Sequence, residues 1–397
     1  MSDWPFDLDD PYPGYHAARA VAPVRYDDAL GAHLVLSHEH AAAVLRGADF
    51  SSDPRNDARL LARLGPERTE LWAQSLLMSD PPEHTRLRSA VNRFFTPRTI
   101  ERVRDRVGAI VDRALEPLAG GDAVEVMGQL AYPVPIAVIA ELFDIGVEGA
   151  QLLRDETPAL ARMLEPDPTP EALEQVAAAA MTLMLFLVPL VAARRTEPGD
   201  DLLSALVHAE TALETDEIMS LCLLLLAAGH ETTANLIGNG LHVLLTHPEE
   251  LARLRTRPEL TGQAVEELLR FDTPAQVGRR ASLRDVQLGY ADVREGDELL
   301  VLIGAANRDP ARYANPDRLD LTRDGPPHLA FGQGIHFCVG AGLARLEGEE
   351  TFRRLARLPL AWESLRATAQ RDPSPTFRRL RSLAVRAAPT ERKATAQ

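Results

Sequence analysis

The sequence predicts a mostly α-helical protein with a minor β component, folded as a single large domain. Apolar residues recur at three- and four-residue spacing in AVEELLRF, in ARLEGEETFRRLARL and along the run from Glu214 to Thr246, as one face of a helix requires. Strand-like patterns are short and sit near the two ends of the chain. There is no repeated strand–helix–strand period and no internal repeat, which leaves doubly wound and solenoid architectures without support. Across 397 residues the 45% hydrophobic content is evenly spread, and no Gly/Ser linker or charge block divides it.

Taken in order, APVRYDD and AHLVLS read as early strands, and SDPPEH is a loop ahead of a helix. EPDPTP, EPGDD and THPEE punctuate the central helices. DVQLGY and DELLVLIGAA are strands again, and NRDPARYANPDRLD is a long loop with little periodicity; ordered loops of that length usually have a function. A helix follows Cys338, and RSLAVRAA is a last strand. The β-rich part is therefore expected at about 20–50 and 280–305, the helical core at about 80–275 and 339–357, and a disordered tail from about 388.

The run from Val176 to Ala193 approaches the length of a membrane span, but it is rich in alanine and Pro189 interrupts it. The expectation is a largely buried helix and no membrane partner. The net charge of −15 argues against a nucleic-acid partner, which would need a clustered basic face. The two cysteines, Cys222 and Cys338, cannot build a disulfide framework, and MSDWPFDLDD is unlike a signal peptide. A reducing cytoplasm is the expected compartment.

Cys338 lies in FGQGIHFCVGAGLAR. Gly332 and Gly334 permit positive φ and a close approach of the main chain to a flat ligand, while Phe331 and Phe337 bring apolar bulk around the sulfur. The helical pattern after Cys338 places the sulfur at a helix N-terminus, an environment that lowers a thiol pKa and favours the metal-binding thiolate. A single thiolate, with no second Cys/His set beside it, argues against structural zinc and iron–sulfur clusters. It suits an iron already held by four porphyrin nitrogens. An isolated cysteine is more often a buried apolar residue; the surrounding glycines and aromatics reverse that reading.

On FGQGIHFCVGAGLAR the sequence resembles the cytochrome P450 superfamily of haem-thiolate monooxygenases, in its soluble bacterial form. Gly342 stands where the family often has proline. The resemblance extends to Ala228-Gly229-His230-Glu231-Thr232-Thr233, similar to the family's oxygen-binding segment in a long central helix. There the Thr232 hydroxyl can bond the carbonyl of Ala228, so a local distortion of the helix is expected. The resemblance implies that Glu231 and Thr232 relay protons and that Ala228 and Gly229 line the haem. HTRLR presents His84 and Arg88 one turn apart, similar to the family's propionate-binding pair. Arg280 fits a third propionate donor, with Arg279 beside it leaving the register open by one, and His336 fits a fourth. Phe331 and Gly332 complete the haem-binding set. Glu267 and Arg270 in EELLR match a structural ion pair to which NPDRLD adds Arg318.

The resemblance thus implies haem b with Cys338 as the axial ligand to iron, and a P450 fold with a small sheet near the N-terminus. The implied reaction uses dioxygen and two electrons from a ferredoxin and an NAD(P)H-dependent reductase to hydroxylate or epoxidise a small organic molecule of secondary metabolism. A peroxide-dependent peroxygenase and a haem-thiolate sensor or carrier are the alternatives. The retained Glu231 and Thr232 argue against both, because neither needs a proton relay. The substrate pocket is expected to draw on residues 55–78, Leu225 to Gly229, Ala275 to Gly278 and Phe377 to Leu380. Within the first segment Leu60, Leu61, Leu64, Leu71 and Trp72 are its apolar candidates. Arg378, Arg379 and Arg381 either meet an acidic group of the substrate or face solvent. The outer face of the 181–193 run is a candidate contact for a carrier protein presenting tethered substrate, or for a second copy of the chain.

Overall fold

The computed structural model describes residues 4–119, 123–164, 169–358, 360–361, 369–386 and 388–389. A five-stranded sheet forms at one side from β1 (Val24–Asp27), β2 (Ala32–Val35), β3 (Phe50–Ser51), β4 (Val277–Ser282) and β5 (Glu298–Leu302), in the order β1-β2-β5-β4-β3. β2 and β5 run parallel with His33 opposite Leu299, and β4 lies antiparallel to β5 with Arg280 opposite Leu299. β5 is buried at every position: its apolar run Leu299–Leu302 suits a central strand, and the buried Glu298 that opens it is paired with Arg279. β4 is the strand that pattern reading overlooks. VGRRAS contains a glycine and two arginines and shows no period-two alternation.

The helices that position the site are α1 (His38–Arg46), α2 (Glu83–Asn92), α3 (Pro133–Phe143), α4 (Gly146–Leu160), α5 (Pro170–Thr196), α6 (Thr215–Thr246), α7 (Thr261–Phe271) and α8 (Ala341–Arg357). α6 is the central helix: most of its residues are buried within the largest apolar cluster, which also takes in α3, α7 and α8. Cys222 is fully buried in that cluster, and burial pushes its thiol up to about 12. That is how an inert core cysteine behaves. The mostly helical architecture expected from the sequence is observed, with a long central helix and a small sheet built from an early and a late part of the chain. Of the tail from about 388, Ala388–Pro389 pair with Leu360–Ala361, and residues 390–397 lie outside the described residues.

α5 corrects an expectation. It runs through Pro189 without a break, and its most apolar stretch is only 22% buried, where a largely buried helix was expected. The inward stripe is Ala179, Leu183, Leu187 and Val191, one residue per turn, whereas Met181, Leu185 and Val188 are exposed on the other side. Because nearly every position of this run is apolar, periodicity could not show which face turns outward. By length and composition α5 and α6 both suffice to cross a membrane; α6 is 72% buried inside the protein.

Candidate active site

The cysteine loop is fixed by its own backbone. Gly332 and Gly334 adopt φ of 67° and 72°, the left-handed region that glycine tolerates, and the Cys338 N–H donates to the Phe331 carbonyl at 2.9 Å. The close approach made possible at Gly334 is to protein: a β-carbon there would lie 2.7 Å from the Leu45 carbonyl at the end of α1. Gly342, the departure from the family's proline, lies in the first turn of α8 and packs against the short helix Pro97–Arg102, where a β-carbon would meet Ile100 at 2.7 Å. Glycine suits that contact.

Cys338 lies just before α8 and faces a cavity of about 380 Å³. The N–H groups of Gly340 and Ala341 bond its sulfur, and Arg88 and Arg345 add positive charge. Burial outweighs them and pushes the thiol up, contrary to the lowered value expected from the helix terminus alone. A coordinated metal would reverse that balance, since a ligating thiol gives up its proton outright.

Around the same cavity stand His84 and Arg88 from α2, Arg280 from β4 and His336 from the loop. The His84 and His336 rings lie 4.3 Å apart between centroids. Neither ring nitrogen of His84, nor Nε2 of His336, has a hydrogen-bond partner, although all are buried. His336 is held down to about 3 by burial, then by the charges of Arg280, His84 and Arg88. Burial lowers Arg280 to about 10, with Asp80 pulling the other way. Arg88 donates to the Phe337 carbonyl at 2.6 Å, bracing the cysteine loop. The neighbouring Arg279 also lines the cavity but is already taken up by Asp57 and by Glu298 at 2.7 Å, which favours Arg280 as the cavity's donor. Two guanidiniums and two unpaired imidazoles in one buried corner call for anions, and the two propionates of a haem supply them. With a sulfur below and apolar walls around, the residues fit haem.

From α6, Ala228, Gly229, Thr232 and Thr233 line the same cavity. A β-carbon on Gly229 would come within 3.0 Å of Ile139 on α3, so glycine here serves helix packing. The Thr232 hydroxyl donates to the Ala228 carbonyl at 2.8 Å, as its spacing predicts. The expected distortion does not break the helix, which stays α-helical from Thr215 to Thr246. Glu231 departs further from expectation. It is buried on a different face of α6, accepting from Asn235 Nδ2 at 3.2 Å and pairing with Arg379 Nε at 3.6 Å. Thr232 and Thr233 line the cavity, whereas Glu231, about 100° round the helix from Thr232, does not. His230 turns to α4, with Nδ1 3.0 Å from the Thr157 hydroxyl.

The ion network beneath the loop also corrects the sequence reading. Glu267 and Arg270 pair at 2.8 and 2.9 Å, both buried, but the third member is Arg323, whose Nε lies 3.0 Å from Glu267. Arg318 is exposed. Its N–H closes a turn onto Asn315, a residue at positive φ, and Leu319 takes the inward position beside it. Arg323 lies beyond that turn and gathers the carbonyls of Ala314, Asn315 and Arg318.

The cavity walls come from Trp72, Leu76 to Met78, Leu225, Ala275, Val277, Gly278 and Phe377, with Phe95, Ile139, Leu142 and Phe143 added from helices that motif reading did not single out. Of the other early leucines, Leu60 is buried and Leu61 exposed, neither lining the cavity; the Leu64 and Leu71 side chains lie outside the described residues. Of the three late arginines only Arg381 faces solvent, one of the two readings; the other two are turned into the protein and meet protein carboxylates. Arg378 is buried against Asp272 at 2.9 Å and the carbonyls of Leu8 and Asp9, Arg379 meets Glu231, and Arg381 pairs with Asp372 at 2.8 Å.

Comparison with known proteins agrees with this geometry. The family model described as Cytochrome P450 matches residues 157–355. The chain is 41% identical over 360 residues to 6-deoxyerythronolide B hydroxylase of Saccharopolyspora erythraea, covering 87% of this chain and 88% of that one. It is 40% identical to cytochrome P450 monooxygenase PikC of Streptomyces venezuelae, covering 95% and 91%. Among solved structures, P450BioI in complex with acyl carrier protein carrying hexadec-9Z-enoic acid superposes with a TM-score of 0.88 at 33% identity, covering 96% and 98%.

Proposed function

The chain belongs to the cytochrome P450 family and is a haem-thiolate monooxygenase, and we propose that it hydroxylates or epoxidises a bulky, mostly apolar intermediate of secondary metabolism. The observation that carries this reading is a single cavity in which the Cys338 sulfur, the four basic side chains and the Thr232 hydroxyl meet amid apolar walls. Haem bound there supplies dioxygen activation, with thiolate donation promoting O–O cleavage. Cys338 would hold its iron through the thiolate, and His84, Arg88, Arg280 and His336 would hold its propionates, with Phe331, Gly332, Ala228 and Gly229 lining the same cavity.

Thr232 holds a hydroxyl at the reacting face, and Glu231 delivers protons from behind it. The apolar walls position substrate and exclude bulk water, so that protons arrive by this route. The apolar lining favours a substrate such as 6-deoxyerythronolide B, a polyketide or a long acyl chain, the chemistry named for the relatives. We extend the reading to a carrier-bound form of the substrate, for which the exposed face of α5 at Met181, Leu185 and Val188 is the docking candidate. Electrons come from a separate ferredoxin and an NAD(P)H-dependent reductase, and the compartment is the cytoplasm.

The test supplies the purified holoprotein with a surrogate ferredoxin, its reductase and NAD(P)H, and offers 6-deoxyerythronolide B as first probe. Oxygenated product that needs NAD(P)H supports the reading. Product formed with hydrogen peroxide alone would replace it by the peroxygenase, and binding without product under either supply would replace it by a sensor or carrier.

A further inference from the structure

Arg379 sits in the C-terminal turn, three residues beyond Thr376, which with Phe377 lines the cavity. Its guanidinium lies 5.6 Å over the Phe377 ring and 3.6 Å from the Glu231 carboxylate, and it is largely shielded from solvent. One side chain therefore touches both the wall that substrate presses on and the acid behind Thr232. The same corner holds Tyr132, whose hydroxyl is pushed up by burial and then by the charge of Glu231, with Asp372 and Glu125 further out. The Asp372 N–H donates to the Arg379 carbonyl at 3.2 Å, and Asp372 is partly exposed. Charged groups thus lead from Glu231 through Arg379 toward the partly exposed Asp372.

We propose that Arg379 is a positioning residue that holds Glu231 turned away from the cavity in a pair with the surface side, and that contact of substrate with Phe377 loosens this pair. This deepens the relay reading given above and rests on it. In each cycle Glu231 gives one proton toward Thr232 and is left as a carboxylate. Pairing with Arg379 then returns it to the outward position, where a proton from solvent restores the acid. Filling of the cavity is thereby coupled to proton supply through Phe377 and Arg379, with no direct contact between substrate and Glu231.

The experiment compares holoenzymes carrying Arg379→Ala, Arg379→Lys, Glu231→Gln and the Ala/Gln double substitution. Dioxygen consumption driven by NADH, a surrogate ferredoxin and its reductase requires no assigned substrate, and its solvent deuterium isotope effect reports proton delivery. Infrared spectroscopy reports the state of Glu231 independently of turnover. R379A is expected to slow consumption about tenfold, less than the ~100-fold loss expected on removing the acid itself in E231Q. R379A also raises the isotope effect and, in difference spectra that cancel the buried Glu347 carboxyl, adds a protonated-carboxyl band over the wild type that the double variant lacks. R379K recovers most of the rate. A wild-type rate with no new band in R379A would overturn the proposal. So would equal losses in R379A and R379K with an unchanged isotope effect, or loss of the reduced carbon monoxide band, because these mark a merely structural role. A wild-type rate in E231Q would instead remove the relay reading itself.

Discussion

The floor of the cavity, around Cys338, and its roof, along α6, are built in different ways. The floor is a loop whose course follows from two glycines at positive φ and a helix start, braced from outside by Arg88 and by the Glu267, Arg270 and Arg323 network. The roof is one helix whose residues serve the cavity or the core according to which neighbour they face. Thr232 faces the cavity and Glu231 faces Arg379, though they are adjacent in sequence. Local rules set the floor, while tertiary contacts divide the labour of the roof. Changes to the floor should accordingly cost folding and haem retention, and changes to the roof should cost turnover with little effect on stability.

The largest effect is expected beneath the floor. Glu267→Ala leaves Arg270 and Arg323 buried without their carboxylate and also removes the acceptor of the Asp320 N–H at 3.0 Å. Removing one partner of a buried pair costs about 3–5 kcal/mol, measurable by denaturant unfolding of the holoprotein. A loss within ~0.5 kcal/mol, as for an ordinary surface change, would erase the contrast between floor and roof.

Next comes Arg280→Ala. Loss of a charged hydrogen-bond donor to a propionate is worth about 1.5–3 kcal/mol of haem binding, read as faster transfer of haem to an apo-globin acceptor. Arg279→Ala should act on stability through Asp57 and Glu298 and leave haem transfer slower than in R280A. The reverse ranking would move the register by one residue.

On the roof, Thr232→Val keeps the volume and removes the hydroxyl that donates to Ala228. Product formed per NAD(P)H consumed should fall by about tenfold or more, with unfolding free energy changed by ~1 kcal/mol or less. A large loss of stability with coupling intact would make Thr232 a structural residue.

A smaller effect is expected with pH. Glu266 is lowered to about 2: burial raises it, but the bonds and charges of His328 and Arg345 outweigh that. Its ordinary value is 4.5, so its contribution to stability is present above that value and is lost as pH falls from 4.5 toward 2. Glu266→Gln should flatten that part of the pH–stability curve, and an unchanged curve would show that the pair contributes nothing. The smallest change in stability is expected at α5, where Met181→Glu with Leu185→Glu touches only exposed positions and should stay within ~0.5 kcal/mol. Binding to an acyl carrier protein, measured by calorimetry, should be lost in the same variant if that face is the dock.

What was legible follows the same division. The helix-rich fold, the strands at both ends, Gly332, Gly334 and the bond from Thr232 to Ala228 could all be read from local pattern, because each depends on residues within a few positions. β4 was obscured by its two arginines, although those arginines are the strand's contribution to the site. The choice of Arg323 over Arg318 depends on a turn at Asn315 that reverses which side chain points inward. The outward face of α5 was hidden by apolar residues on every side. The raised thiol of Cys338 needed the extent of its burial, which no local pattern states. Arg379 carried a signal as one of three late arginines beside the cavity segment, but its partner across the fold was not readable.

The central claim is that Cys338 delivers a thiolate to haem in this cavity. The most direct test is the ultraviolet-visible spectrum of the reduced, carbon monoxide-bound protein, recorded for the wild type and for Cys338→Ser. A strongly red-shifted haem band in the wild type that the substitution abolishes is the predicted result. Its absence from the wild type, or its survival in C338S, would contradict the account.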